Sequence, residues 1–220
     1  AGEPGIPVSG GRDRHSCATP AELAAAGEAA GFDGAELARA SRLVAKVDSA
    51  AVQDGFDLYL HGFFVTDDGR WTVVQQGMNG GSRKARRYHW LSEGLTSFVD
   101  TPHAAIEGKR QGEIVNLADR RADASRKAQL DLLSDLGPDR LAREAAKLKR
   151  PVAAPTEPML PHLALPDHHD VRADDVILRR LHGTLAAAAE QGPKDFADLL
   201  LVPGVGARTV KSLAMVAEVI

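Results

Sequence analysis

The sequence predicts an α+β protein: an amino-terminal part with a small antiparallel sheet flanked by helices, then an all-helical carboxyl-terminal part. Three observations carry this. Asp68-Gly69 lies between two alternating apolar runs, 56–65 and 71–78, a strong short-range hairpin signal. Helical periods with start and stop residues occur on both sides of those runs. Five prolines then fall within 151–166, where periodicity is lost, so the chain divides into 1–150, a stiff linker over 151–167, and 168–220.

Along the chain, residues 1–11 read as an extended lead-in. Gly10-Gly11-Arg12-Asp13-Arg14-His15 follows as a flexible basic loop able to hold phosphate, or simply as a solvated loop. Thr19-Pro20 starts a helix, with Thr19 as its cap, and Gly31 ends it. A second helix is expected from Asp33 or Gly34 through Leu37, Leu43 and Val47 toward Gln53. If Asp68-Gly69 is a two-residue loop, Val65 pairs with Thr72, Phe63 with Val74, and His61 with Gln76. Leu58, Leu60, Phe64, Trp71 and Val73 then face the core, while Asp57, Tyr59, His61, Thr72 and Gln76 face outward. A third strand is expected over 86–91, a short helix after Pro102-His103, another strand over 112–117, and charged helices over 121–133 and 139–149. Beyond the linker, helices near 174–189 and 194–201 lead into Pro203-Gly204-Val205-Gly206. His168-His169-Asp170 lacks a further ligand at helical spacing and is a poor metal pattern.

An ordinary globular composition, 44% hydrophobic and 26% charged over 220 residues, excludes a disordered or fibrous chain. No apolar run approaches a membrane span, so no membrane partner is expected. The single cysteine, Cys17, excludes an internal disulfide and fits a reducing, cytoplasmic setting. The chain starts at Ala1 and stops at Ile220 in an uncapped helical pattern, which predicts a longer parent chain. With a net charge of −3, any nucleic-acid contact must come from local basic clusters.

One such cluster follows Leu199-Leu200-Leu201-Val202. The glycines leave backbone N–H groups without side-chain cover where a second helix begins, and Arg208 and Lys211 add charge within the next turn and a half. Apolar run, Pro, Gly-Val-Gly and basic helix together resemble the helix-hairpin-helix motif, which implies sequence-independent binding of the DNA sugar-phosphate backbone by Gly204, Val205, Gly206, Arg208, Thr209 and Lys211. The plain alternative is an αα-hairpin whose glycines only permit close packing. Arg86-Arg87-Tyr88-His89-Trp90 alternates basic with aromatic residues and suits phosphate contact and base stacking, or else an aromatic pair with solvated arginines.

Candidate catalytic groups are Asp48, Gln53, Asp54, His61, Gln76, Tyr88 and His89. His61 beside Gln76, with a tyrosine and His89, offers acid–base or base-reading groups. The leading expectation is therefore a DNA-processing or repair enzyme, nuclease or glycosylase in type, with DNA as partner. A nuclease calls for Mg²⁺ or Mn²⁺ between carboxylates; Asp48 and Asp54, six residues apart, cannot share a helix face, which counts against it. A non-catalytic DNA-binding adaptor is the second reading. A nucleotide-binding metabolic enzyme using Gly10-Gly11 and Arg86-Arg87 is the third.

The runs Lys46-Val47-Asp48, Val52-Gln53-Asp54-Gly55, Leu58-Tyr59-Leu60-His61, 71–79 and Ala85-Arg86-Arg87-Tyr88-His89-Trp90, with Pro102-His103 and the Gly204 hairpin, resemble an uncharacterised prokaryotic family, domain of unknown function 763. The resemblance spans most of the chain and implies relatives longer at both ends. It carries no established activity.

Overall fold

The computed structural model describes residues 8–109, 114–148 and 178–220. A five-stranded antiparallel sheet is its centre, in the order β1 (Val8–Arg12), β3 (Asp57–Val65), β4 (Trp71–Asn79), β5 (Lys84–Leu91) and β6 (Ala105–Glu107). A second ladder pairs β2 (Val52–Gln53) with β7 (Val115–Asn116). The helices are α1 (Thr19–Ala30), α2 (Gly34–Lys46), α3 (Asp123–Lys147), α4 (Leu178–Gln191), α5 (Phe196–Leu201) and α6 (Ala207–Val219). The α+β class is thus observed. The expected linker 151–167 and His168-His169-Asp170 lie outside the described residues.

Local chemistry accounts for most of these elements. Asp33 caps α2 by accepting the Glu36 N–H at 2.9 Å, and Asp195 caps α5 by accepting the Asp198 N–H at 2.8 Å. The paired charged helices expected over 121–149 appear as α3, broken where Gly137 takes a positive φ of 67° before Pro138. Arg126 of α3 is buried, and its Nη1 donates to the Leu117 and Asp119 carbonyls at 2.8 Å each.

Several expectations are corrected. Residues 8–12 are an edge strand, not a free lead-in or loop. Thr19 lies inside the first turn of α1, and its buried hydroxyl makes no capping bond. The segment after Pro102 forms β6 rather than a helix. The second helix ends at Lys46, one π turn follows over Val47–Ala51, and Gln53 belongs to a strand. The hairpin loop has three residues, because Gly69 takes φ 81° and the Thr66 N–H donates to the Arg70 carbonyl at 2.8 Å. The register therefore shifts by one. Val65 pairs with Trp71, Phe63 with Val73 and His61 with Gln75. The slip inverts the expected face of β3 but not that of β4: His61, Phe63 and Val65 are buried in place of Leu58, Leu60 and Phe64, on one face with Val73, buried as expected, with Gln75, and with Arg86, Tyr88 and Trp90 of β5.

That inner face meets α2 and the π turn, and one apolar cluster runs from Leu37, Val44 and Val47 through Phe63 and Trp90 to Leu185, Leu199 and Leu213. The hairpin α1–α2 closes on bare backbone: a Cβ on Gly34 would lie 2.1 Å from the Ala24 carbonyl oxygen. Among the described residues no helix is long and apolar enough to cross a membrane.

Gly34→Ala is expected to lower stability by about 1–3 kcal/mol, since the rigid carbonyl must move. Gly183→Ala, an exposed position of α4 with none of the described residues within 4 Å of its added Cβ, is expected to raise it by about 0.5–1 kcal/mol. Urea unfolding midpoints of the two variants check both signs.

Candidate functional site

The π turn places Asp48, fully buried, against the inner sheet face. Its Oδ2 accepts from Gln75 Nε2 at 2.5 Å and Trp90 Nε1 at 2.9 Å, and its Oδ1 from His103 Nε2 at 2.5 Å. Gln75 Nε2 also donates to the Val44 carbonyl at 3.1 Å. Both partners of that amide nitrogen are acceptors, so the side chain can be oriented in only one way, with Oε1 toward His61 Nδ1 at 3.0 Å. An amide oxygen only accepts. His61 therefore carries its proton on Nδ1, and its Nε2 accepts from the Ser41 hydroxyl at 3.0 Å. Burial pushes the His61 pKa down, against smaller upward effects of Gln75 and Asp48, and keeps the imidazole neutral. Asp48, Gln75, His61 and Ser41 form one relay with every proton assigned.

A second buried carboxylate sits nearby in sequence. Asp54 Oδ2 accepts from Arg86 Nη1 at 2.6 Å and from the Tyr88 hydroxyl at 2.8 Å, and its Oδ1 accepts the Phe56 N–H at 3.3 Å. Burial and the adjacent Asp54 charge push the Tyr88 pKa far up, so Tyr88 remains a donor. Arg86 is consequently a buried ion-pair partner rather than a surface phosphate contact.

The remaining candidates separate. Gln76 and His89 lie on the opposite sheet face, where Arg87 Nε donates to Gln76 Oε1 at 3.2 Å. Gln53 Nε2 donates to the Ala50 carbonyl at 3.0 Å and to the Ala207 carbonyl at 2.9 Å. Of the expected catalytic set, Asp48 and His61 share one network and Asp54 and Tyr88 another. Ser41, Gln75, Trp90 and His103 are the members that sequence reasoning missed, and spacing held no signal for them because they meet across 14 to 55 residues.

These carboxylates do not fit a Mg²⁺ or Mn²⁺ centre. Their oxygens are occupied by donors, and among the described residues no three His, Cys, Asp or Glu side chains are grouped to hold a metal ion.

The carboxyl-terminal turn is anchored by its carbonyls. Lys46 Nζ donates to the Val205 carbonyl at 2.5 Å and Gln53 Nε2 to that of Ala207, while the Val205 N–H closes the turn onto the Val202 carbonyl at 3.1 Å. Val205 and Thr209 are buried; Pro203, Gly204 and Arg208 are exposed; Lys211 is half-buried. Gly204 needs its left-handed φ of 86°. Gly206, which precedes α6, has a φ of −153°, open to any residue, and none of the described residues lies within 4 Å of a Cβ built on it. Burial pushes the Lys46 pKa down.

Lys46 links this turn to the relay. It lines a pocket of about 340 Å³ whose polar floor is Ser41, His61 and Gln75, and whose wall includes Leu201, the last residue of α5.

Residues 1–220 match the family model described as Protein of unknown function (DUF763), and the chain belongs to that family. No curated protein and no solved structure matches it.

Arg86→Ala strands the Asp54 carboxylate and is expected to destabilise the fold by about 3–5 kcal/mol in denaturant titration. His61 gives a pH signature. Its folded pKa lies below the unfolded value near 6.5, so the unfolded chain takes up the proton first and stability falls as pH drops from 6.5 toward the folded pKa. Unfolding midpoints between pH 7.5 and 5.5 should fall less in His61→Gln than in the parent; equal falls would contradict the neutral assignment.

Proposed function

We propose that this member of the DUF763 family binds DNA through the turn between α5 and α6 and acts on the bound strand at the His61 pocket, as a processing or repair enzyme of the hydrolase type. The observation that carries the reading is Gly206. A serine or aspartate there would cap the first amides of α6, yet glycine leaves them without a side-chain partner. Among the described residues no contact requires the missing side chain. An absent Cβ at an open helix start suits the close approach of an anionic group from outside.

The anchoring agrees with this role. Lys46 and Gln53 draw the Val205 and Ala207 carbonyls inward, and Arg208 and Lys211 follow on the first turns of α6. A phosphate there would meet N–H groups, a helix dipole and cationic side chains together. No base edge is read by these groups, so binding should be indifferent to sequence.

The pocket supplies the chemistry. A water or hydroxyl in the pocket can pass a proton to Ser41 as Ser41 passes its own to His61 Nε2, with Gln75 and Asp48 holding the ring in the accepting tautomer. The turn and the pocket share Lys46 and the end of α5, so a strand held at one lies beside the other.

Gly206→Asp is the sharpest test. The new carboxylate should cap α6, leaving the melting temperature unchanged or raised, while affinity for single- and double-stranded DNA falls at least tenfold for all sequences alike. Unchanged affinity would overturn the hairpin assignment. Arg208→Ala and Lys211→Ala should each lower the slope of log affinity against log salt by about 1. Labelled single-stranded, double-stranded and damaged DNA, incubated with the protein with Mg²⁺, Mn²⁺ or EDTA, should yield strand cleavage or base release that is lost in His61→Gln. Salt-sensitive binding without product would identify a binding adaptor instead.

A further inference from the structure

The pocket beside the hairpin has a lining that specifies more than proton transfer. Pro20, Leu58, Tyr59, Leu60 and Leu201 give it apolar and aromatic walls over the Ser41–His61–Gln75 floor. Among the described residues its charged lining side chains are Arg42 and Lys46 and none is acidic, in a chain whose net charge is −3. Arg12 adds a further cation, its guanidinium carbon 5.8 Å from the centre of the Tyr59 ring. The pocket thus offers an apolar and aromatic space with two cationic side chains in its lining, the reverse of the protein's overall balance.

Its polar atoms are also partly committed. The Ser41 proton goes to His61 Nε2, and the Ser49 proton to the Ala45 carbonyl at 2.7 Å, so both hydroxyl oxygens face the pocket as acceptors. A ligand that satisfies them brings N–H or O–H donors together with an aromatic body and a negative group. At about 340 Å³ the space lies within the range of roughly 300–1,000 Å³ typical of small-molecule sites. Exposed Arg42 and Cys17 border it, so it is reached from solvent.

We propose that this pocket holds a single nucleotide unit, the base between the apolar walls with its exocyclic and ring N–H groups toward Ser41 and Ser49, and the phosphate toward Arg42 and Lys46. The inference rests on the DNA-processing reading and names the part of the strand that the pocket takes: a base turned out of the stack, as chemistry on a base or its sugar requires. Leu201 and Lys46 connect the pocket to the turn, so a backbone gripped at 204–206 delivers its neighbouring nucleotide to this space.

Two probes distinguish a free nucleotide from one within a strand. Adenosine 5′-monophosphate, with the other three nucleoside monophosphates, adenosine and inorganic phosphate beside it, is titrated calorimetrically. A single-stranded oligonucleotide carrying one 2-aminopurine is followed by fluorescence. Ala45→Trp fills the pocket from the solvent side of α2, and its circular dichroism melt reports that the fold is kept; Ser41→Ala removes an acceptor with little change of volume. The expected result is saturable binding of a monophosphate, a fluorescence change of the oligonucleotide, or both, weakened at least tenfold by Ala45→Trp and several-fold by Ser41→Ala. A response from the oligonucleotide alone assigns the pocket to nucleotides within a strand; one from the monophosphate alone assigns it to free nucleotides. No response to either probe, or responses as strong in Ala45→Trp as in the parent, overturns the proposal. Gly206→Asp should leave monophosphate binding intact, so loss of the hairpin reading and loss of the pocket reading are separable.

Discussion

The buried carboxylate of Asp48 is the constraint on which the rest depends. A carboxyl group with no solvent must find hydrogen-bond partners in its surroundings, and it finds three donors on three different parts of the chain. Trp90 fixes β5, His103 fixes the stretch that follows β5, and Gln75 fixes β4, all against the turn that ends α2. The same bonds set the direction of every proton from Gln75 to Ser41, because a carboxylate and a carbonyl can only accept. Packing and chemistry are therefore one arrangement here: the hydrogen bonds that hold the sheet against the helix also set the tautomer of His61.

The hairpin inherits its position from the same region. Lys46 ends α2 just before the π turn, and Gln53 lies just after it; both reach across to the carbonyls of the turn before α6. The apolar cluster continues without a break beneath them, from Val44 and Val47 to Leu199, Leu200 and Leu213. The carboxyl-terminal turn is thus held from within by its acceptors.

Much of this was legible in the sequence where the signal is local. Gly-Val-Gly after a proline located the turn, Asp33 and Gly34 located the start of α2, and the Asp-Gly pair located the β3–β4 hairpin. What failed was the count of loop residues. Asp-Gly suits both a two-residue turn and a three-residue loop closed by a left-handed glycine, and the difference of one residue moved His61 from the expected outer face to the core and exchanged Gln76 for Gln75 as its partner. The end of α2 was hidden for a related reason, since Val47 and Ala51 continue an apolar pattern through a turn that is not α-helical. Trp90 and His103 could not be tied to Asp48 from spacing, because the sheet, not the helix period, brings them together.

The π turn has an evolutionary corollary. A segment that holds one residue more than an α-helix needs is a frozen insertion: deleting it would let the helix run on smoothly but turn Asp48 by about 100° away from its donors, by the pitch of the α-helix. Point substitutions around it can be absorbed, whereas changes of length cannot. Descendants of this chain are thus expected to vary in residue type over 47–51 while keeping the number of residues between Lys46 and Gln53 fixed.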